Sequence, residues 1–227
     1  MEVLAFDYGD KRIGYAVASK KMKMAFAKDY ILNDHSLDES VKRIISLYQP
    51  DELVVGLPLR QNLMFTPATD KALLFSKWLF EFANCPVYLV DERYSTVYSQ
   101  TSLRYAGRSV KDSKNMIDSE SAKSIAEIYL QSPAWVFKFN LDCLPEKTIE
   151  KCIQREDIQT LYVMGGKGIF DIMGRYQKNI TVYELNPFIY SLERNKKIPK
   201  NIKQYLFSFS VPNGYTLCQQ SAHGSTG

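Results

Sequence analysis

The sequence predicts an α/β protein: a mixed sheet flanked by helices, followed by a small C-terminal α/β accessory module. Three observations carry that expectation. Short, wholly apolar runs at 53–57 and 86–90 read as parallel strands buried on both faces. Amphipathic stretches with helical spacing at 40–48 and 69–83 alternate with them. Two strands joined by a tight turn precede the first βα unit, so the sheet mixes strand directions.

Along the chain, 3–6 and 13–18 are the opening strands, joined by the turn Tyr8-Gly9-Asp10-Lys11-Arg12. The positive, Met-rich stretch 20–28 reads in part as a third strand. In 40–48, Val41, Ile44, Ile45 and Tyr48 share one face, and Pro50 stops the helix. The helix 69–83 leads into the strand 86–90, and a third helix covers 119–130 before Ser132-Pro133. The grammar then restarts with a strand at 160–164, a Gly-rich turn and a helix at 169–176. A strand at 180–185, another helix and a strand at 204–210 follow. These breaks predict a domain at 1–133, an accessory segment at 134–218 and a disordered polar tail at 219–227.

Composition narrows the chemistry. The chain has 227 residues, 45% hydrophobic and 24% charged, and only two histidines, His35 and His223. Histidine-based hydrolases are thereby nearly excluded, and H-E-x-x-H zinc sites are excluded outright. Cys85, Cys143, Cys152 and Cys218 form no C-x-x-C pair, which predicts reduced thiols in the cytoplasm. The N-terminus lacks an export signal and no run reaches the roughly 18 apolar residues of a membrane span, so a soluble cytoplasmic protein is expected. Residues 1–133 are neutral overall, so the whole net charge of +4 lies beyond them. Much of it is the run Arg194, Lys196, Lys197, Lys200 and Lys203, a solvated helix end or a phosphate-binding patch.

Three acids stand where apolar patterns converge. Asp7 ends the first strand in phase with Val3 and Ala5. Glu92 follows the apolar run Val87-Tyr88-Leu89-Val90, beside Asp91. Asp118 opens the third helix in line with Ala122, Ile125, Ala126 and Tyr129. Singly, each also fits a helix cap, a turn acid or a surface ion pair. Strand ends of an open α/β sheet gather at one edge, where ligands bind. Two carboxylates about 4 Å apart repel by roughly 4 kcal/mol at an effective dielectric near 20, so clustered acids call for a shared proton or a cation. Hard Mg²⁺ or Mn²⁺ suits oxygen ligands and substrate phosphate.

Four segments resemble the YqgF/RuvX family, in that family's order and approximate spacing. They are Leu4-Ala5-Phe6-Asp7-Tyr8-Gly9-Asp10-Lys11-Arg12-Ile13-Gly14, Gln49-Pro50-Asp51-Glu52-Leu53-Val54-Val55-Gly56-Leu57-Pro58-Leu59, Val90-Asp91-Glu92-Arg93-Tyr94-Ser95-Thr96 and Ile117-Asp118-Ser119-Glu120-Ser121-Ala122. The resemblance covers 1–133 and implies an RNase H-like fold related to Holliday-junction resolvases. It implies maturation of the 5′ end of pre-16S ribosomal RNA, with branched DNA as the alternative substrate. By position, Asp7, Glu92 and Asp118 would be the catalytic, metal-binding acids, with Asp91 or Glu92 supplying the middle ligand. One departure stands out. The family's loop after Gly56-Leu57-Pro58-Leu59 is of the N-x-D-G type, whereas this chain has Arg60-Gln61-Asn62-Leu63-Met64-Phe65-Thr66, which leaves substrate preference open.

Lys11, Arg12 and Arg93 lie in the matching motifs and are candidates for phosphate contacts. Arg104, Arg108, Lys111 and Lys114 surround Gly107 in a polar loop that could track a nucleic-acid backbone or simply be solvated. A homodimer is expected if the substrate is a symmetric junction. A phosphotransferase of the actin and sugar-kinase group finds no second phosphate loop downstream. A non-catalytic nucleic-acid binder would rest on the basic C-terminal run. In that segment Gly165-Gly166-Lys167-Gly168 between strand and helix, with Glu184 ending the next strand, resembles a nucleotide or S-adenosylmethionine site, but it matches neither G-x-G-x-x-G nor a Walker loop. A plain glycine turn is the stronger reading.

Overall fold

A computed structural model describes residues 1–94, 117–132, 136–154, 158–176, 180–198, 200, 202–208, 212 and 217–218. The chain divides into two compact units, Met1–Phe139 and Asn140–Gly227.

The first unit runs β1 (Glu2–Tyr8), β2 (Arg12–Ser19), β3 (Met24–Leu32), α1 (Leu37–Tyr48), β4 (Glu52–Leu57), α2 (Pro67–Phe82) and β5 (Val87–Asp91). A 3-10 turn (Glu92–Tyr94), α3 (Ile117–Gln131) and β6 (Val136–Lys138) follow. The sheet order is β3-β2-β1-β4-β5-β6. The pairs β1–β2, β2–β3 and β5–β6 are antiparallel, while β1–β4 and β4–β5 are parallel. This is the mixed, helix-flanked sheet the sequence predicts. The third strand takes up the second part of 20–28 and runs on to Leu32, because the antiparallel partners of Arg12–Ser19 are Leu32 back to Met24.

Local chemistry sets the joints. The Gly9 N–H donates to the Arg12 carbonyl across the β1–β2 turn. Gln49 closes α1 in the left-handed region, with φ 43° just before Pro50. Thr66 and Thr69 form a reciprocal capping box for α2, and the Thr69 hydroxyl also donates to the Pro58 carbonyl. Alternation along the strands splits the core into two layers. Val3, Ala5, Val54 and Val90 pack against Ile125 and Ala126 of α3. Phe6, one residue out of phase, meets Phe75 of α2 edge-on at 5.6 Å.

The seam between units falls later than the expected break at 133. Val136–Lys138 pairs with β5, the Phe139 N–H donates to the Val87 carbonyl, and the Phe139 ring meets Phe80 at 5.5 Å. A three-residue strand carries too little periodicity to be read from sequence.

The second unit contains α4 (Glu146–Ile153), β7 (Thr160–Val163), α5 (Ile169–Met173), β8 (Ile180–Glu184), α6 (Pro187–Glu193), β9 (Ile202–Phe207) and β10 (Leu217–Cys218). Its sheet is parallel, in the order β10-β7-β8-β9. Ile149, Ile153, Leu161, Val163, Ile169, Met173 and Val182 form its core. A disulfide joins Cys152 of α4 to Cys218 of β10, which corrects the expectation of four reduced thiols. Their separation of 66 positions conceals a pairing that only the fold creates. Cys85 and Cys143 are free. The segment 219–227 lies outside the described residues. No described helix is long and apolar enough to cross a membrane.

Candidate active site

Because β1, β4 and β5 run parallel, their carboxyl ends share one edge of the sheet, and α3 begins there. Asp7 is the penultimate residue of β1, on the layer that Val3 and Ala5 share with α3. Asp118 stands in the first turn of α3, and its charge acts on Asp7. Ser121, one turn further on, donates a hydrogen bond to Asp7. Glu92 leaves β5 in phase with Val90, also on the α3 layer, and its charge neighbours are Asp7 and Asp91.

The neighbouring acid has a different task. Asp91 is fully buried, and its carboxylate holds Arg93 through Nε at 2.8 and 3.1 Å and Nη2 at 2.7 Å. The Arg93 backbone N–H also donates to it at 3.0 Å. Asp91 therefore neutralises Arg93, while Glu92 faces Asp7. Nothing in the local sequence separates these two acids; the packing partner of Val90 does.

Burial, the charge of Asp118 and the opposing Ser121 bond together push the Asp7 carboxyl up to about 6. Burial, Asp7 and Asp91 push Glu92 up to about 8. Carboxyls raised by burial and mutual repulsion form an electrostatically unfavourable set that a cation would relieve. The donor chemistry, oxygen only, suits a hard divalent ion. Among the described residues, no three acids, histidines or cysteines stand together as a ready-made ion cage.

Two glycines let the elements meet. A Cβ on Gly14 would fall inside 3.0 Å of the Asp118 carbonyl, so β2 and the start of α3 approach backbone to backbone. A Cβ on Gly56 would collide with the Glu92 carboxyl. Neither glycine nor Ser121 carries a sequence signal of its own, since each role depends on a partner far along the chain.

The cationic candidates divide. Arg12 reaches Asp118, Nη1 to Oδ2 at 3.9 Å, with its guanidinium 4.4 Å from the centre of the Tyr30 ring. Lys11 is exposed on the β1–β2 turn. Arg93, besides gripping Asp91, donates from Nη1 to the Gln61 carbonyl at 3.1 Å. That bond fixes the loop where this chain departs from the family pattern. An open cleft of about 650 Å³ lies there, lined by Leu59, Arg60, Gln61, Asn62, Glu92 and Arg93. Arg104, Arg108, Lys111 and Lys114 lie outside the described residues.

In the second unit the glycine turn has a structural occupant. Glu184 accepts from the N–H groups of Gly165 at 2.9 Å, Gly166 at 2.8 Å and Asn186 at 2.7 Å. Its carboxyl is pushed up to about 7 by burial, against those bonds. With the carboxylate committed to backbone donors, it clamps the turn and leaves little acceptor capacity for ribose hydroxyls.

Acidic side chains gathered on one layer at the carboxyl edge of a mixed sheet define an α/β protein with a carboxylate-centred site. The chain belongs to the RuvX family, described as Holliday junction resolvase, which matches residues 1–132. A curated relative from Burkholderia thailandensis named "Putative pre-16S rRNA nuclease" is 38% identical over 140 residues, 61% of this chain and 93% of its own length. One of the same name from Dechloromonas aromatica is 32% identical over 133 residues, 58% of this chain and 91% of its own. Among solved structures, fowlpox virus resolvase with Holliday junction DNA is 18% identical, covers 58% of this chain and 98% of that one, and has a TM-score of 0.39. T. thermophilus RuvC with a Holliday junction substrate is 16% identical, covers 60% and 99%, and has a TM-score of 0.39.

Proposed function

We propose that this chain is a cytoplasmic, divalent-metal-dependent nuclease that hydrolyses phosphodiester bonds at the 5′ end of pre-16S ribosomal RNA. The observation that carries the reading is the electrostatic chain Asp118–Asp7–Glu92 inside the family-matched region. The name shared by the curated relatives supports the RNA substrate.

Asp7, Glu92 and Asp118 would hold Mg²⁺ or Mn²⁺. The ion, when bound, neutralises charge on the scissile phosphate and makes water a stronger nucleophile. The Ser121 hydroxyl keeps one Asp7 oxygen oriented. Arg12, beside Asp118, and exposed Lys11 receive phosphate oxygens on one side. Arg60, on the rim of the cleft beside Glu92, faces the neighbouring nucleotide. Arg104, Arg108, Lys111 and Lys114 complete the proposed backbone contacts. Residues 1–133 supply the chemistry in this reading, and 134–218 form an accessory module.

The test is cleavage of a pre-16S 5′ leader transcript with Mg²⁺ or Mn²⁺, with and without excess EDTA. Site-selective cutting that EDTA abolishes supports the proposal. Equal cutting in EDTA sinks the mechanism, and salt-sensitive binding with no cutting leaves a non-catalytic nucleic-acid binder. The family description favours one second reading, resolution of branched DNA by a homodimer. Paired symmetric nicks on a four-way junction by a dimeric species, with the transcript left intact, would select it.

A further inference from the structure

We infer that Gly56 is a positioning residue for Glu92: the missing side chain at 56 is the space that the Glu92 carboxyl occupies on the active layer of the sheet. The inference rests on the metal-site reading of Glu92 and extends it to a residue that touches neither substrate nor ion.

Gly56 lies near the carboxyl end of β4, paired with Val90 of β5 and in phase with Val54, so it faces α3. A Cβ there would lie far inside 3.0 Å of Glu92 Oε1, 2.7 Å from Glu92 Cδ and 2.5 Å from Ile125 Cδ1. No φ between +20° and +160° occurs at Gly56, so backbone conformation does not demand glycine here; space does. The nearest obstruction is the far end of a flexible side chain. A methyl at 56 would therefore be accommodated by displacing the Glu92 carboxyl, with the strand left in place. Gly14 is the contrast. Its obstruction is the Asp118 backbone, so a methyl at 14 would push α3 itself.

The same geometry gives a size-exchange test. Shortening Glu92 by one methylene withdraws its carboxyl from the methyl at 56. Glu92→Asp should therefore harm ion binding when Gly56 is present and improve it in the Gly56→Ala background. Ile125→Val removes the other obstructing atom and serves as the parent for every variant. It supplies no donor atom to an ion, and its own Mn²⁺ affinity is the baseline for the series.

Mn²⁺ affinity is measured by calorimetry on the full chain, with transcript cleavage as a second readout and thermal melting as a fold control. Gly56→Ala should weaken Mn²⁺ binding by about tenfold or more, the range for loss of an orienting contact, while retaining a cooperative melt. Adding Glu92→Asp to it should recover part of that loss. Full affinity in Gly56→Ala, or further loss on adding Glu92→Asp, overturns the inference while Glu92→Gln still weakens binding and keeps the metal-site reading. Affinity unmoved by Glu92→Gln removes that reading and the inference with it. Unfolding of Gly56→Ala in the Ile125→Val parent makes the position structural and also overturns the inference.

Discussion

Asp7 and Glu92 each hold a proton more tightly in the folded chain than in an unfolded one, and this has a defined sign for stability. Their carboxyls rise from 3.8 to about 6 and from 4.5 to about 8. Between those limits the folded state binds more protons, so stability is greatest near pH 4 and falls as pH rises through 6 and then 8. The melting temperature of ion-free protein should follow that decline. Glu184, raised to about 7, adds to the decline, so Asp7→Asn should lessen it, and Mg²⁺ added near pH 8 should restore part of what was lost. A melting temperature independent of pH from 4 to 8 would contradict the electrostatics. The same substitution should reduce transcript cleavage by on the order of 10²–10³, with no loss of thermal stability, because it relieves repulsion. The three acids were legible in the sequence because each continues an apolar phase. That Glu92 turns towards Asp7 while Asp91 pairs with Arg93 was not, because it depends on which layer Val90 packs against.

A clamp joins β5 to the loop after β4. Asp91 is fully buried and meets Arg93, whose head group also grips the Gln61 carbonyl. The loop 60–64 closes on itself, with the Arg60 N–H donating to the Met64 carbonyl and Leu63 N–H to Arg60. Leu63 is held at φ 63°, a conformation costly for a branched side chain. Removing the arginine strands a buried carboxylate, a loss of about 3–5 kcal/mol for a broken buried pair. Arg93→Gln should show that loss in urea unfolding, and Asp91→Asn added to it should return part. A free energy unchanged in Arg93→Gln would mean the pair contributes nothing. In the sequence Arg93 reads equally well as a phosphate ligand, because a residue two positions from its partner can face it or turn away. Longer elements were legible from their periodicity. β6, α4 and β10 were not: two are strands of three and two residues, and α4 buries little beyond Ile149 and Ile153.

At the scale of the whole chain, charge and chemistry are separated. Among residues 140–227, eleven basic against eight acidic residues leave a net +3, whereas 1–139 carry +1. In the proposed reading the acid-bearing unit would therefore attract nucleic acid mainly through local groups such as Lys11, Arg12 and Arg60. The architecture of that unit was readable because hairpin, apolar strands and amphipathic helices follow each other in an order that few sheets accommodate. The Cys152–Cys218 link and the true seam were not, since both depend on segments meeting in space. The seam makes a sharp prediction about fragments. A chain of residues 1–139 keeps β6, the bond from Phe139 to Val87 and the Phe80–Phe139 ring contact. It should melt cooperatively and retain Mn²⁺ binding, whereas 1–133 exposes the edge of β5 and should melt lower. If the second unit also adds phosphate contacts, transcript affinity of the full chain should fall more steeply with salt than that of 1–139, because each neutralised phosphate steepens the slope. Equal slopes would confine nucleic-acid binding to the acid-bearing unit and leave the +3 as solvated surface.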